Sequence, residues 1–254
     1  MTLYEAIYVR RSIRSFRMEP VTDDILKGIM DLVAEMTPLF PQIKFRVDIV
    51  DCLSRKGKVG GVFTKTAPYY LAVFSEPKEK YDMNAGYVMQ QISLYLTTKG
   101  VGTCFQGMGK MKESPADGMK FVMLMAFGFP KGALIRHEYE AKRLSLEELC
   151  VYKERPRTWV KEMLEAARLA PSSFNSQPWR FVVYENRVHV FSKNPTTTAS
   201  KKGKFNEFNF GVMLGNVMVA AEEIWVDLDL IKLNNITHKS IPNNQYMLSI
   251  LLKA

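Results

Sequence analysis

The sequence has few of the residues on which disulfide frameworks and metal sites depend. Its 254 residues include only three cysteines and three histidines. Cys52, Cys104 and Cys150 lie far apart without a CxxC pair, which predicts reduced and mostly buried thiols in a reducing compartment. The histidines have no spacing typical of zinc ligands, so we predict no metal site.

Long apolar runs and several common motifs are also missing. The stretch from Phe121 to Phe129 is too short to cross a bilayer, and the first residues, MTLYEAIYVRR, lack the apolar core of a secretion signal. We therefore expect a cytoplasmic protein with no membrane partner. No GxGxxG, GxxxxGK[ST] or GxSxG motif is present, which argues against a Rossmann site, a P-loop and a serine hydrolase of that type.

Acidic residues are fewer than basic ones, which gives a formal net charge of +9. A basic surface attracts nucleic acid, anionic lipid or phosphate-bearing small molecules. No zinc-finger spacing or basic zipper is present, so we predict no nucleic-acid partner and keep a basic nucleic-acid-binding module as an alternative. Most of the basic residues are scattered, but three clusters stand out, at 10–14, 142–143 and 201–204.

Hydrophobic residues (47%) and charged residues (24%) have the proportions of a soluble globular protein. Their periodicity predicts an α+β fold. In the first half it predicts a helix capped by Thr22 and ended by Pro38, a long helix at about 82–99, and strands at 45–50, 69–74, 101–105 and 121–127. The second half repeats this order, with helices at about 159–170 and 205–225 and strands at 180–184, 188–191, 226–231 and 246–252.

Some positions of the two halves match residue by residue. Asp82-Met-Asn84-Ala-Gly86 corresponds to Glu207-Phe-Asn209-Phe-Gly211, each opening a long helix. We interpret residues 1–144 and 145–254 as related halves packed about an approximate two-fold axis, a fused dimer within one chain. No flexible linker joins them, so we do not expect the halves to move as separate bodies. The chain would be a monomeric pseudo-dimer, with further association left open.

Two segments carry side chains suited to binding an anionic ligand. Arg10-Arg11-Ser12-Ile13-Arg14, if extended, would place two guanidiniums and a hydroxyl on one side, whereas the alternative is a solvated basic turn. Pro171-Ser172-Ser173-Phe174-Asn175-Ser176-Gln177-Pro178-Trp179 joins a predicted helix to a strand through a loop rich in hydrogen-bonding side chains. The alternative there is an ordinary polar turn followed by a core tryptophan.

Together these segments resemble the nitroreductase family of FMN-dependent enzymes. Members of that family carry AIxxRRSxR, APSSxNxQPW, GxGxC and a basic residue pair. The corresponding segments here are Ala6–Arg14, Ala170–Trp179, Gly100–Gly107 and Lys142-Arg143-Leu144.

The chain departs from the family pattern in the placement of these motifs. Typical members of the family carry all of these motifs in one subunit that is about half as long as this chain. Here RRSIR and PSSFN fall in different halves of the chain. The first half has Pro38-Leu-Phe-Pro41 in place of the polar loop, and the second half has Val151-Tyr-Lys-Glu-Arg155 in place of RRSxR. In family homodimers each FMN takes the first motif from one subunit and the second from the other. The resemblance therefore implies one surviving site and one FMN per chain.

The resemblance also implies roles for individual residues. Arg10, Ser12 and Arg143 would lie near the FMN phosphate and ribityl chain, and Arg14 near the pyrimidine edge, where a cation stabilises reduced flavin. The amide near Gln106 and Gly107 would face flavin N5. The remaining predicted site residues are Arg11, Lys142, Pro171, Ser172, Ser173, Asn175 and Gln177.

The expected reaction is ping-pong hydride transfer from NAD(P)H through FMN to a nitroaromatic or quinone-like small molecule. Because the flavin performs the redox step, no side chain is predicted to be an obligatory acid or base. The alternative within the same fold is a flavin-binding protein with a specialised or non-reductase role.

Overall fold

A computed structural model describes residues 1–54, 59–62, 64–112, 118–193, 205–238 and 245–253. The chain divides into two compact units, Met1–Glu140 and Ala141–Ala254. Each unit is described by itself. The basic cluster at 201–204 lies outside the described residues.

The first unit contains every helix and strand that the periodicity predicts from residue 22 onward. It also has a short first helix, closed by a capping box between Thr2 and Glu5, and a small strand pair that were not predicted. Its elements are α1 (Leu3–Val9), α2 (Asp23–Glu35), β1 (Phe45–Asp51), β2 (Val59–Gly61), β3 (Tyr69–Ser75), α3 (Tyr81–Thr98), β4 (Gly102–Gln106), β5 (Gly109–Met111) and β6 (Lys120–Gly128).

The main sheet of the first unit is antiparallel, with the strand order β1-β3-β6-β4. The α3 helix packs against this sheet and against α1 and α2. Thirteen of its eighteen residues are buried, as expected for a helix that is apolar on most of its surface. Burial on this scale makes α3 the centre of the first unit.

The second unit also contains the elements predicted for it. In addition it has a one-turn helix with a capping box between Ser145 and Glu148, and a short strand after it, neither of which was predicted. Its elements are α4 (Leu146–Leu149), β7 (Cys150–Tyr152), α5 (Thr158–Leu169), β8 (Trp179–Val183), β9 (Arg187–Ser192), α6 (Asn206–Glu223), β10 (Asp227–Ile231) and β11 (Gln245–Lys253).

The sheet of the second unit has the order β10-β11-β9-β8-β7. Its strands are antiparallel except for β7, which lies parallel to β8. The part β8-β9-β11-β10 has the same chain order and the same neighbours as β1-β3-β6-β4. The α6 helix packs on α5 and, like α3, is almost fully buried.

One hydrogen bond recurs in the two units. In α3, Oδ1 of the buried Asn84 accepts from the Phe40 amide at 3.0 Å. In α6, Oδ1 of the buried Asn209 accepts from the Ser173 amide at 2.9 Å. In both units the long helix thus fixes the segment that follows the preceding helix, at the two positions that the sequence comparison pairs.

A buried histidine in the second unit is expected to make stability depend on pH. Nδ1 of His189 lies 2.6 Å from Oγ of Ser249, which also lies 2.6 Å from Oη of Tyr246. Burial lowers the pKa of His189, and the positive charges of Arg187 and His238 lower it further. The unfolded chain therefore binds the proton more tightly than the folded protein does.

It follows that the free energy of unfolding is highest above the ordinary histidine pKa and falls as the pH drops below it. We expect urea unfolding of the wild-type protein at about pH 5 to require less denaturant than at about pH 7.5. His189→Asn should flatten this dependence, whereas His137→Asn, at an exposed histidine, should preserve it. Equal pH slopes in the wild type and His189→Asn would contradict the assignment.

Candidate functional site

The arginine-rich segment of the first unit is fastened to the edge of the sheet. Ser12 forms a parallel bridge with Thr103 of β4, and the Ile13 amide donates to the Thr103 carbonyl at 2.9 Å. Ile13 and Phe16 are buried in a cluster on one face of the sheet. A Cβ atom on Gly102 would lie 2.4 Å from Ile13 Cγ1, so the glycine of the GxGxC motif allows this close approach.

Arg10 points inward from this segment and is only 4% exposed. Its Nε donates to Ser93 Oγ at 2.7 Å and its Nη2 contacts Thr103 Oγ1 at 3.4 Å. The guanidinium also lies 5.8 Å from the centre of the Phe105 ring. Arg10 thus anchors the segment, whereas Arg11 and Arg14 are exposed. No motif in the sequence marked Ser93 or Thr103 as partners of Arg10.

Arg14 lines a cavity of about 360 Å³ together with Lys65 and Lys131. The cavity is also lined by the hydroxyl-bearing residues Ser15, Thr64 and Thr66, and none of its described lining residues is acidic. Three cations and several hydroxyl groups around one cavity suit an anionic ligand with several oxygen acceptors. Sequence reasoning missed Lys65 and Lys131, because neither belongs to a motif and only the fold brings them beside Arg14.

The backbone around these cations is held in place. The Lys65 amide donates to Oε1 of the buried Gln106 at 2.8 Å, and the Lys65 carbonyl accepts from the Tyr70 hydroxyl. The Lys131 amide donates to the Ser15 carbonyl at 3.1 Å. Gln106, predicted as a site residue, therefore supports the cavity through Lys65.

The pKa of the Cys104 thiol reflects the positive charges near this cavity. Burial raises the pKa of its thiol, while the positive charges of Arg10, Arg14 and Lys65 oppose that rise. The thiol stays protonated near neutral pH, which argues against a nucleophilic role for this buried residue. Gly107 lies partly buried in the turn between β4 and β5.

In the second unit the basic pair and the polar loop form one cluster. Arg143 Nη1 donates to Asn175 Oδ1 at 2.7 Å, and Asn175 Nδ2 donates to the Lys142 carbonyl at 2.8 Å. The Leu144 amide donates to Gln177 Oε1 at 2.8 Å. Residues predicted for the site from two separate motifs are thus joined by direct hydrogen bonds.

The loop itself has an unusual backbone. Phe174, Asn175 and Gln177 have φ angles of 56°, 52° and 43°, in the left-handed region that residues other than glycine seldom occupy. The Gln177 amide donates to Ser172 Oγ at 3.0 Å, and Ser173 is held by its bond to Asn209. Such local strain is typical of ligand-binding segments.

The two ends of the loop are fixed differently. Pro171 is partly exposed at the end of α5. Trp179 is fully buried and packs edge-to-face on Phe210, with the ring centres 6.5 Å apart. Trp179 is therefore a core residue, whereas the ligand-binding role predicted for the loop before it stays a prediction.

The model of a protein family described as "Putative TM nitroreductase" matches residues 2–221. The chain belongs to this nitroreductase family. The resemblance inferred from the motifs is confirmed, and the family match runs through both units.

One solved structure supports the same fold for this nitroreductase-family protein, and two others are similar to part of it. A Thermotoga maritima MSB8 protein described as a "putative nitroreductase" superposes with a TM-score of 0.66 at 19% identity, covering 99% of this chain and 93% of that one. A nitroreductase family protein from Clostridium difficile 630 matches with a TM-score of 0.48 at 16% identity, covering 58% of this chain and 96% of that one. A Desulfitobacterium hafniense DCB-2 nitroreductase with bound FMN matches with a TM-score of 0.41 at 17% identity, covering 54% and 94%. No curated protein matches the chain.

In the described part of this nitroreductase-family chain, no helix combines the length and apolar character needed to cross a membrane. The same residues contain no group of three or more histidine, cysteine or acidic side chains placed to hold a metal ion.

Proposed function

We propose that this nitroreductase-family protein binds one FMN per chain and uses it as an NAD(P)H-dependent oxidoreductase. The observation that carries the proposal is the cavity around Arg14, Lys65 and Lys131, whose described lining has cations and hydroxyl groups but no acid. FMN brings a phosphate and, when reduced, a negative charge on its pyrimidine ring, so both of its anionic parts suit basic surroundings.

The roles that we propose follow the family resemblance, except at Arg10. Arg14 would hold the pyrimidine edge, and the fold adds Lys65 and Lys131 beside it. Ser12 and Arg143 would hold the phosphate and ribityl chain. Arg10, with its guanidinium on Ser93, contributes by anchoring the segment that carries Ser12 and Arg14.

We further propose that the two units are diverged copies and that the chain binds a single FMN. The shared strand order and the paired bonds of Asn84 and Asn209 support a duplication. The two motifs are lost in a complementary way, which leaves one full set of flavin-binding residues. We propose that the chain works as a monomeric pseudo-dimer in the cytoplasm.

When bound, FMN supplies the redox chemistry, taking two electrons from NAD(P)H and passing them to a nitroaromatic or quinone-like acceptor in a second half-reaction. The protein binds and orients these molecules. Arg14 and its neighbouring lysines place positive charge where negative charge develops, and the bonded Arg143–Asn175 pair keeps the polar loop in one conformation. No described side chain has to transfer a proton in this scheme.

The visible spectrum of the purified protein tests the proposal. We expect a yellow protein with about one FMN per chain, whose flavin absorbance bleaches when NADPH or NADH is added without oxygen. A ratio near two would overturn the single-site argument. Bound FMN that neither nucleotide reduces would instead identify a flavin-binding protein without reductase activity, and a colourless protein that binds no added FMN would refute the proposal.

A further inference from the structure

The strand β10 of the second unit corresponds to β4 of the first. Each strand follows a long helix across a turn in which a valine amide donates to a carbonyl of the last helical turn at 2.9 Å, from Val101 in one unit and from Val226 in the other. The two strands then pair with β6 and β11 in the same antiparallel register. Residues Gly102–Gln106 of β4 thus correspond one by one to Asp227–Ile231 of β10.

In the first unit the outer edge of β4 is covered by an extended basic segment. Ser12 forms a parallel bridge with Thr103, whose carbonyl accepts from the Ile13 amide at 2.9 Å. Arginines stand on both sides of this bridge, at Arg11 and Arg14. The first unit therefore shows what kind of segment this edge of the fold can bind.

In the second unit no described residue forms a backbone bridge with the outer edge of β10. Leu228 corresponds to Thr103, so its backbone carbonyl faces away from β11 in the same way. The segment that precedes α5, Cys150–Tyr152, pairs instead with β8 at the opposite end of the sheet. A strand edge of this kind can take up an extended polypeptide segment, which gains affinity from main-chain hydrogen bonds.

Acidic side chains lie on β10 and just before it. Glu222, Glu223 and Asp227 are exposed, and none of them forms an ion pair with a described residue. The carbonyls at the end of α6 add partial negative charge beside the two glutamates. The chain as a whole has a net charge of +9, so this acidic edge contrasts with the rest of it. Pairing with β10 of a second copy would bring like charges together, whereas a basic segment would neutralise them.

Trp225 supplies an aromatic surface beside these acids. It is 95% exposed and has a φ of 56°, at the position that Gly100 occupies in the first unit with a φ of 79°. The left-handed position at a helix end is the usual place of glycine, so the turn alone does not account for a tryptophan. An exposed indole ring attracts a guanidinium or ammonium group through its face. The ring and the acids thus suit the same cationic partner.

We propose that the outer edge of β10 binds an extended, arginine- or lysine-rich segment of a partner protein, parallel to β10 and bonded to the Leu228 carbonyl. Its basic side chains face Trp225 and Asp227. In the first unit a Cβ atom on Gly102 would lie 2.4 Å from Ile13 Cγ1, and Asp227 occupies the place of that glycine, so the partner residue there is a cation rather than an isoleucine. This surface is independent of the proposed flavin function, because none of its residues is assigned to FMN.

A synthetic peptide with the sequence of residues 9–17, VRRSIRSFR, and the change Ile13→Lys tests the inference on the full chain. With a fluorescent label at its N-terminus, its fluorescence anisotropy should rise to saturation as the protein is added at low salt. N-methylation of the lysine amide removes the donor to Leu228 and keeps every charge, so it should raise the Kd about 3- to 10-fold. Hydrogen exchange of the β10 amides should slow when the unmethylated peptide binds.

Variants of the protein test the side chains of the acidic edge. Glu223→Gln combined with Asp227→Asn should raise the Kd of the peptide about 3- to 10-fold. Trp225→Gly, which gives this turn the residue type found in the first unit, should raise it about 2- to 5-fold. Asp31→Asn combined with Glu35→Gln is the matched control, because both acids are exposed near the end of α2. The control removes the same charge and should leave the Kd within about 2-fold of the wild type.

Three results would overturn the inference. The first is a wild-type protein that does not bind the peptide at about 50 mM salt, where surface charges are weakly screened. The second is an equal Kd for the methylated and unmethylated peptides, because charge alone would then hold them. The third is an equal loss of affinity in the control and in the variant of Glu223 and Asp227, which would show that net charge, rather than the edge of β10, attracts the peptide.

Discussion

Replacing Arg14 and Lys65 together by glutamine is expected to weaken FMN binding roughly 100-fold. Both side chains line the cavity that Lys131 also lines, and none of the described lining residues is an acid that could neutralise either charge. A hydrogen bond to a charged group contributes about 1.5–3 kcal/mol, and two such losses correspond to at least a hundredfold change in affinity. Reconstitution of the apoprotein with FMN, followed by flavin fluorescence, measures the change.

The same double variant should lower the reduction potential of the bound flavin. A cation near the pyrimidine edge stabilises the reduced, negatively charged form more than the oxidised form. If about 3 kcal/mol of that preference is lost, the two-electron potential falls by roughly 60 mV. Raising the salt concentration should weaken binding by the wild type more than binding by the variant, because surface charges are screened.

Arg17→Gln is the control for general charge loss. Arg17 lies three residues beyond Arg14, but its guanidinium is bonded to Glu19 at 3.2 Å and stacks on Phe129. It does not line the cavity. Wild-type FMN affinity and potential are expected for Arg17→Gln. Equal losses in the control and the double variant would show that net charge, rather than the cavity, governs binding.

Much of the fold could be predicted because long periodic segments depend on local sequence. The helices α2, α3, α5 and α6 and the strands between them follow from apolar spacing and flanking prolines. The short elements were missed for the opposite reason. One-turn α4 has too few residues to show a period, although its capping-box pair, Ser145 and Glu148, is visible in the sequence.

In the site, too, the residues that belong to local motifs could be predicted, whereas those that only the tertiary fold brings together could not. The motifs predicted the cluster of Lys142, Arg143 and the loop from Pro171 to Gln177, and hydrogen bonds now join its members. Lys65 and Lys131 could not be predicted, because they reach Arg14 only through the pairing of segments distant in sequence. The buried position of Arg10 was also beyond prediction, since its partners Ser93 and Thr103 come from α3 and β4.

Asn209→Ala is expected to weaken FMN binding roughly tenfold, whereas Asn84→Ala should leave it unchanged. Both asparagines are buried near the start of a long helix. Each accepts a hydrogen bond from one backbone amide. Removing either acceptor leaves a part-buried amide without this partner, at a cost of about 1 kcal/mol of folding stability. The two variants should therefore have similar melting temperatures.

The two variants differ in the segment that the asparagine hydrogen bond holds in place. Asn209 fixes Ser173 in the loop that we assign to FMN, whereas Asn84 fixes Phe40 in the corresponding segment of the first unit, which lacks the polar motif. A fused pair with two working sites would respond equally to both substitutions, and a pair with one site would respond to Asn209→Ala alone. FMN affinity and melting temperature measured on both variants thus test the single-site proposal, because equal losses of affinity would require flavin at both loops.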